Sequence, residues 1–327
     1  MDPDRVAVVE GADILLQACG RLIAGERLAI VCDTETRAVG DLLARRAALL
    51  TTEVHLVEVA PFGMHGEEPP AHAAEEMRIA DLCLGITAKS MIHTAARKAA
   101  SLRGTRYLSL PDYSLDLLAD DSLRADWPAR GVIGRRVADA YTAGSEVTVS
   151  SDSGTRITMR IDGRIGNSAP GYVAEPGATS SPPTIETYVS PLETSAQGVV
   201  IVDGSIPFPT LGLIQEPVRL VVEGGRIVDI TGSDAKVVAE LRRVFAGPGS
   251  DKAYVLAECA VGLNDRARLM GIMLTDEGTA GTMHFGFGSN ATIGGINEVP
   301  FHLDTVLRGP SMTIDGRLVV ERGAVVI

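Results

Sequence analysis

The chain has 327 residues, of which 45% are hydrophobic and 22% are charged. This is the composition of a folded globular protein, and it excludes a disordered or low-complexity chain. Its 30 basic and 42 acidic residues give a formal net charge of −12, which argues against nucleic acid or an anionic membrane as the main partner, because both attract clustered Lys and Arg.

Strand-like and helix-like segments alternate over the first 130 residues. The predicted strands are 27–32, 54–59, 81–85 and 106–110, and the predicted helices are 37–50, 71–79 and 90–102. Alternation at this spacing predicts βαβ units and a parallel sheet. The glycine-rich phosphate-binding fingerprints are absent after these strands, so a dinucleotide-binding domain is not predicted.

The second half of the sequence has a different pattern. Strand pairs joined by turn residues are predicted at 146–161, at 219–229 and at the C-terminus, and one amphipathic helix is predicted over 233–246. We therefore predict an α/β N-terminal domain with a parallel sheet, residues 1–130, and an α+β, mostly antiparallel C-terminal domain, residues 131–327.

The cysteines and the N-terminal segment indicate the cellular compartment in which the protein is expected. The four cysteines are scattered without a CxxC pair, which is typical of buried thiols in a reducing compartment. The opening segment MDPDRVAVVEGAD is acidic and lacks the apolar stretch of a signal peptide. No run of about 20 apolar residues predicts a membrane span. We expect a soluble cytoplasmic protein.

The triplet His302-Leu303-Asp304 is the first candidate for a metal site. In an extended segment, residues two apart point to the same face, so the imidazole and the carboxylate can reach one metal ion. The alternative is a surface histidine next to a turn aspartate.

Three further residues of the C-terminal half strengthen this interpretation. His284 lies in an apolar stretch that runs into a glycine-rich turn, and the alternative is a core histidine with satisfied hydrogen bonds. Glu258 lies in another apolar run, where a carboxylate is costly unless it is paired or binds a metal; the alternative is a buried salt bridge. Glu186 begins a short strand bounded by prolines, and alone it is a solvated strand residue.

Together these residues offer carboxylate oxygen and imidazole without a thiolate pair. That ligand set favours Zn²⁺, Mn²⁺, Co²⁺ or Fe²⁺ over a structural zinc site. Carboxylates can bridge two divalent ions while imidazoles bind each of them, so the sequence predicts one or two divalent metal ions in the C-terminal domain.

These segments resemble two related families, the thermophilic-type metallo-aminopeptidases (the aminopeptidase T group) and their shorter relatives, the dihydroxypyridine ring-cleaving dioxygenases. The matching positions are Glu186 with Pro191, Glu258 with Gly262, His284 with Gly288, and His302 with Asp304. The resemblance to the peptidases implies a two-metal site formed by Glu186, Glu258, His284, His302 and Asp304. Because relatives assemble into dimers or larger rings, it also implies a homo-oligomer.

The sequence departs from both families. Ala291 stands where the peptidases carry a catalytic tyrosine. The single-iron triad of the dioxygenases has a histidine where this chain has Glu258, and those enzymes lack ligands at the places of Glu186 and His284. The ligand set therefore follows the peptidases. The chain length and the N-terminal half, including residues 65–70 and 90–94, follow the dioxygenases.

His93 is the candidate for a catalytic group that does not bind metal. It lies near the start of a predicted helix, at the carboxyl edge of the predicted parallel sheet, where ligands of open α/β sheets collect. The dioxygenases have a histidine here with an acid–base role, and the pKa of an imidazole suits proton transfer at neutral pH. The alternative is a histidine that caps the helix.

Three functions are compatible with these residues. The leading expectation is a metallohydrolase of the aminopeptidase T type that opens an amide bond of a small, cyclic or N-heterocyclic substrate with metal-activated water. The second is a non-haem Fe²⁺ dioxygenase that cleaves a hydroxylated pyridine-like ring, with iron on Glu258, His302 and Asp304. The third is a metal- or metabolite-binding protein without catalysis. In each case the expected partner is a small molecule.

Overall fold

The computed structural model describes residues 3–327, which form two compact units. The first comprises the chain up to Trp127 together with Ala169–Pro183, and the second comprises Pro128–Ser168 and Thr184–Ile327. The domain boundary at residue 130 stays a prediction, and the structure assigns residues 169–183 differently, to the first unit. No helix in the described part of the chain has the length and apolar character needed to cross a membrane.

Residues 3–327 contain twenty strands and eight α-helices, with a π-helix at Ile14–Cys19 and short 3₁₀ turns. The helices are α1 (Pro3–Asp13), α2 (Arg37–Ala47), α3 (Ala71–Ile79), α4 (Ala95–Leu102), α5 (Leu115–Ala119), α6 (Trp127–Ala143), α7 (Ala235–Ala246) and α8 (Met273–Asp276). The strands are β1 (Leu28–Asp33), β2 (Val54–Val59), β3 (Leu82–Ile86), β4 (Arg106–Ser109), β5 (Glu146–Ser150), β6 (Arg156–Arg160), β7 (Asn167–Ala169), β8 (Thr179–Ser180), β9 (Glu186–Val189), β10 (Gln197–Val202), β11 (Ser205–Ile206), β12 (Gly212–Leu213), β13 (Val218–Glu223), β14 (Arg226–Gly232), β15 (Leu256–Gly262), β16 (Thr282–Gly288), β17 (His302–Arg308), β18 (Ser311–Ile314), β19 (Arg317–Glu321) and β20 (Ala324–Val325).

The first unit is built on the predicted parallel sheet, which is confirmed. Its five strands lie in the order β2-β1-β3-β4-β8, and every neighbouring pair is parallel. Strand β1, which is apolar up to its last residue Asp33, and strand β3 are buried throughout. This is the pattern expected when both faces of a parallel sheet are covered.

The start of α4 differs from the prediction. The helix was expected from Ser90, but it begins at Ala95, because Thr94 has an extended backbone and its hydroxyl accepts a hydrogen bond from the Arg97 N–H at 3.2 Å. This is the arrangement of an N-cap. His93 therefore lies in the turn before the helix.

The second unit contains the predicted antiparallel structure. One sheet has eight strands in the order β14-β13-β10-β6-β5-β18-β19-β20, and it includes the three predicted hairpins. The other has seven strands in the order β12-β11-β17-β16-β15-β9-β7. The stretch after Trp127 forms the 17-residue helix α6, which was not predicted from the sequence.

An aromatic cluster packs against one face of the seven-stranded sheet. The Phe245 ring of α7 lies 5.9 Å from the Phe287 ring of β16, 5.5 Å from Phe301 and 5.3 Å from Tyr254. Successive side chains of a strand point to opposite faces. Since Phe285 and Phe287 point into this apolar core, His284, Gly286 and Gly288 point to the other face.

Candidate metal centre

The five predicted ligands share that other face of the seven-stranded sheet, on the neighbouring strands β9, β15, β16 and β17. Residues directly opposite each other in an antiparallel pair lie on the same face. Gly286 of β16 lies opposite Glu258 on one side and opposite Asp304 on the other. The remaining pairs place Glu186 opposite Gly262, His284 opposite Ala260, and His302 opposite Gly288.

The ligands form two groups that share Glu258. One, here called the His284 triad, consists of Glu186, Glu258 and His284, and the other, the His302 triad, consists of Glu258, His302 and Asp304. Within each triad the ligand atoms lie within 4.8 Å of one another. One carboxylate oxygen of Glu258 lies 3.8 Å from Nε2 of His284, and the other lies 3.4 Å from Nε2 of His302.

The remaining distances complete the two triads. Nε2 of His284 lies 3.4 Å from a Glu186 oxygen, and Nε2 of His302 lies 3.2 Å from Asp304 Oδ1. The His284 side chain is 1% exposed, whereas that of His302 is 33% exposed. The His302 triad is therefore the one that a small molecule can reach from solvent.

The acidic side chains control the protonation of this cluster. Burial lowers the pKa of His284, but Glu258, Glu186 and Asp304 outweigh it and raise that pKa to about 9. Burial raises the pKa of Asp304, but the charges and hydrogen bonds of the cluster, led by His302, bring it below its usual value. Burial together with the neighbouring carboxylates raises the pKa of Glu186 to about 8. The cluster thus holds more acidic groups than its two histidines can compensate.

A divalent cation fits this donor set. Oε2 of Glu186 is buried and makes no hydrogen bond among the residues described, although Nε2 of His284 lies 3.4 Å from it at ion-pair distance. A buried carboxylate oxygen without a hydrogen bond is costly unless a cation binds it. Carboxylate and imidazole donors suit Zn²⁺, Mn²⁺, Co²⁺ and Fe²⁺, as predicted.

Two residues of the centre were missed by sequence analysis. The carboxyl group of Glu277, just after α8, is hydrogen-bonded to Asp304, and its pKa is raised by burial and by the carboxylates of Asp304, Glu186 and Glu258. Tyr188 of β9 lies opposite Ala260, on the same face as Glu186. The side chain is half-buried. Burial raises the pKa of its hydroxyl, and the nearby carboxylates of Glu258 and Glu186 raise that pKa further. The only sequence signal for Tyr188 was its position two residues after Glu186, which places both side chains on the same face of a strand.

Gly286 leaves the space in which the His302 triad meets. A Cβ atom at this position would lie 2.6 Å from His302 Nε2 and 2.9 Å from Asp304 Oδ1. We expect Gly286→Ala to displace both ligand atoms and to weaken metal binding at this triad by at least about 10-fold, the smaller loss found when ligand orientation is disturbed. Isothermal titration of metal-free protein with Zn²⁺ measures the change.

Gly247→Ala is the matched control for that substitution. Gly247 is the C-cap of α7 in the same unit, has a right-handed backbone, and its nearest neighbour would lie 3.2 Å from an added Cβ. Zinc affinity in the Gly247 variant should match the wild type. Wild-type affinity in the Gly286 variant would contradict the geometry of the triad.

His93 is not part of either triad and belongs to the first unit. It is exposed in the turn before α4. The hydroxyl of Thr94 caps that helix, which weakens the alternative that His93 is its capping residue.

Comparison with known proteins adds the family to this geometry. Residues 15–327 match the family described as NicX: 2,5-dihydroxypyridine 5,6-dioxygenase. The chain belongs to the NicX family. A curated relative, the 2,5-dihydroxypyridine 5,6-dioxygenase of Pseudomonas putida KT2440, is 30% identical over 167 residues, which cover 48% of this chain and 47% of the relative. The aligned region thus spans about half the length of that relative.

Two solved structures share the fold of this NicX-family chain. The structure of 2,5-dihydroxypyridine dioxygenase from P. putida KT2440 has a TM-score of 0.84 at 22% identity and covers 98% of this chain and 96% of that one. Wild-type AmpT from Thermus thermophilus has a TM-score of 0.72 at 15% identity and covers 99% of this chain and 100% of that one. The predicted resemblance to both groups is confirmed.

The expectation of a metallohydrolase is wrong. The match over residues 15–327 assigns the chain to a dioxygenase family, so hydrolase, aminopeptidase and amidohydrolase activity is not supported. The error came from the ligand set: Glu186, Glu258, His284, His302 and Asp304 predict that metal binds, but the same donors serve different reactions. Function depends on the whole site, and the fold and ligand types alone do not decide it.

Proposed function

We propose that this protein is a metal-dependent dioxygenase that opens the ring of a small hydroxylated pyridine. The family match over residues 15–327 is the observation that supports this most strongly. The His302 triad supports it as well, because its three donors, Glu258, His302 and Asp304, are close enough to hold one ion. One histidine and two carboxylates differ from the more usual set of two histidines and one carboxylate.

The proposed roles of the second-unit residues follow from the positions of their side chains, whereas the role of His93 follows from the family resemblance. Glu258, His302 and Asp304 hold an iron(II) ion, which when bound supplies the redox chemistry that lets dioxygen react with an aromatic ring. The Tyr188 hydroxyl makes no hydrogen bond within the described residues, so it is available to donate one to a ring substituent. His93 accepts a proton from a ring hydroxyl, as suits an imidazole near neutral pH.

An oxygen electrode tests this proposal. Protein loaded anaerobically with Fe²⁺ is mixed with 2,5-dihydroxypyridine and dioxygen. We expect equal molar consumption of the two, because a ring-cleaving dioxygenase transfers both oxygen atoms to one substrate molecule. Zinc-loaded protein, which has no accessible redox change, is the control. Iron-saturated protein that consumes no oxygen with this substrate would contradict the proposal.

The His284 triad is proposed to hold a second ion. We expect wild-type protein to bind about two divalent ions at saturation and Glu186→Ala to bind about one, because a two-metal site needs the additional carboxylate. Elemental analysis after gel filtration measures both numbers. If the wild type saturates at a single ion, Glu186 instead contacts the substrate or supports another ligand.

A further inference from the structure

The imidazole of His302 is oriented by a backbone carbonyl outside the metal centre. Its Nδ1 lies 2.9 Å from the oxygen of Ser289. A carbonyl oxygen only accepts hydrogen bonds, so Nδ1 carries a hydrogen, and Nε2, which faces Asp304 and Glu258, is left as the nitrogen that would bind a metal ion. The position of Ser289 therefore decides whether His302 presents the correct nitrogen to a metal ion.

Asn297 fixes the backbone around Ser289. Its side-chain amide donates to the oxygen of Gly288 at 2.7 Å and to that of Lys252 at 2.9 Å. Its backbone oxygen accepts a hydrogen bond from the Ser289 hydroxyl at 3.3 Å. Gly288 has a φ of +115° and leaves no room for a Cβ, which would lie 2.3 Å from the oxygen of Phe301. One side chain thus holds the residue that precedes Ser289.

Asn290 in turn holds Asn297. Its Oδ1 accepts from the Asn297 N–H at 2.8 Å, and its own N–H donates to the Asn297 oxygen at 3.0 Å. Its Nδ2 donates to the Ser190 hydroxyl at 2.8 Å and to Glu193 at 3.0 Å. Asn290 is 0% exposed, and a Cβ at Gly295 would lie 2.0 Å from its amide carbon, so the chain is built closely around it.

Glu193 anchors this network through a largely buried ion pair with Arg164. Its carboxylate lies 2.6 Å from Arg164, with the two side chains 14% and 10% exposed, and it accepts from the Ile296 N–H at 2.7 Å. Arg164 also donates to the oxygen of Gly294. Arg164, Asn290 and the Ile296 N–H thus each donate a hydrogen bond to the Glu193 carboxylate.

We infer that Arg164, Glu193, Asn290 and Asn297 form a clamp that positions His302 for metal binding through the Ser289 carbonyl. Among the described residues, none of these four makes a hydrogen bond or ion pair with a candidate ligand. A purely structural role would require only that the loop between β16 and β17 be stable. The hydrogen bonds of the clamp instead lead to the contact between the Ser289 carbonyl and His302, which fixes the orientation of that imidazole. This inference rests on the proposed metal site at the His302 triad.

The test compares substitutions in the clamp with a substitution that breaks an ion pair elsewhere in the protein. The ion pair chosen resembles the one between Glu193 and Arg164. Glu26 pairs with Arg106 at the same distance, 2.6 Å, with side chains 21% and 10% exposed, and lies in the first unit. Zn²⁺ alone is the probe, and its dissociation constant is measured by competition with a chelator. We expect Asn297→Ala to weaken zinc binding by about 10- to 100-fold, the usual cost of losing a group that orients a ligand. Glu26→Ala should lower the melting temperature and leave zinc affinity unchanged.

Two further measurements complete the design. Glu193→Gln keeps an acceptor for Ile296 and Asn290, so its zinc affinity should exceed that of Glu193→Ala. A crystal structure of Asn297→Ala should show that the 2.9 Å contact between His302 and Ser289 is lost. If the alanine variant does not fold, Asn297→Asp, which keeps the volume and removes the two donors, replaces it.

The outcomes separate the clamp from the proposed function. Wild-type zinc affinity in the Asn297 variant, with a loss of melting temperature like that of Glu26→Ala, would overturn the inference. Wild-type protein that binds no zinc would instead refute the metal site itself. In that case the crystal structure decides alone: a retained contact between His302 and Ser289 overturns the clamp, and a lost contact supports it.

Discussion

His302→Ala and Asp304→Ala are each expected to prevent metal binding at the His302 triad and to abolish the proposed ring cleavage, while the protein stays folded. Each variant removes a donor that lies within 4.8 Å of the other two. Disturbing only the groups that orient ligands costs 10- to 100-fold in affinity, so losing a ligand should cost at least about 100-fold. Metal content and oxygen consumption measure the two effects, and circular dichroism checks the fold.

His72→Ala is the control for these two variants. His72 is an exposed histidine on α3 in the first unit, so its loss should change neither metal content nor oxygen consumption. An Asp304 variant that retains wild-type iron affinity would remove that residue from the site. The proposed ligand set would then have to be assigned again from the remaining carboxylates, among them Glu277, which is hydrogen-bonded to Asp304.

His93→Ala is expected to keep the wild-type metal content and to reduce turnover by about 10²- to 10⁴-fold, the range found when a general acid–base group is lost. Turnover should fall while metal content stays the same, because His93 is not a member of either triad. Single-turnover oxygen consumption with saturating 2,5-dihydroxypyridine measures the rate, and elemental analysis measures the metal.

The neighbouring Thr94 supplies the matched variant. Thr94→Ala removes the N-cap of α4 and should cost about 1 kcal/mol of stability with little effect on turnover. If His93→Ala behaves like Thr94→Ala, with reduced stability and nearly normal turnover, His93 has only a local structural role.

The sequence marked Glu258 and His284 as candidate ligands because each interrupts an apolar strand at a costly place. Glu258 and His284 stand in runs that are buried along their whole length, and such residues need a partner. Alternation of strands and helices similarly predicted the parallel sheet. These signals are local, so a single sequence carries them.

The remaining features depend on contacts between distant residues. Glu277 is recognisable only by its hydrogen bond to Asp304, and the stretch after α8 has no pattern that marks it. Helix α6 was missed because its glycines resemble turn signals. In the structure Gly134 instead allows close approach, since a Cβ there would lie 2.7 Å from the Ser168 hydroxyl and 3.0 Å from that of Thr187. The reaction could not be deduced from the donors at all.

The alternation of side chains along β15, β16 and β17 makes the centre sensitive to chain length. Strand register has a period of two, so one added or deleted residue exchanges the two faces of a strand beyond that point. In β16 such a change would replace the imidazole of His284 by the side chain of Met283 or Phe285, and would turn a phenyl ring toward the ligands. A single insertion or deletion in one of these strands should therefore damage the centre more than a conservative substitution of one candidate ligand, because it moves several side chains at once.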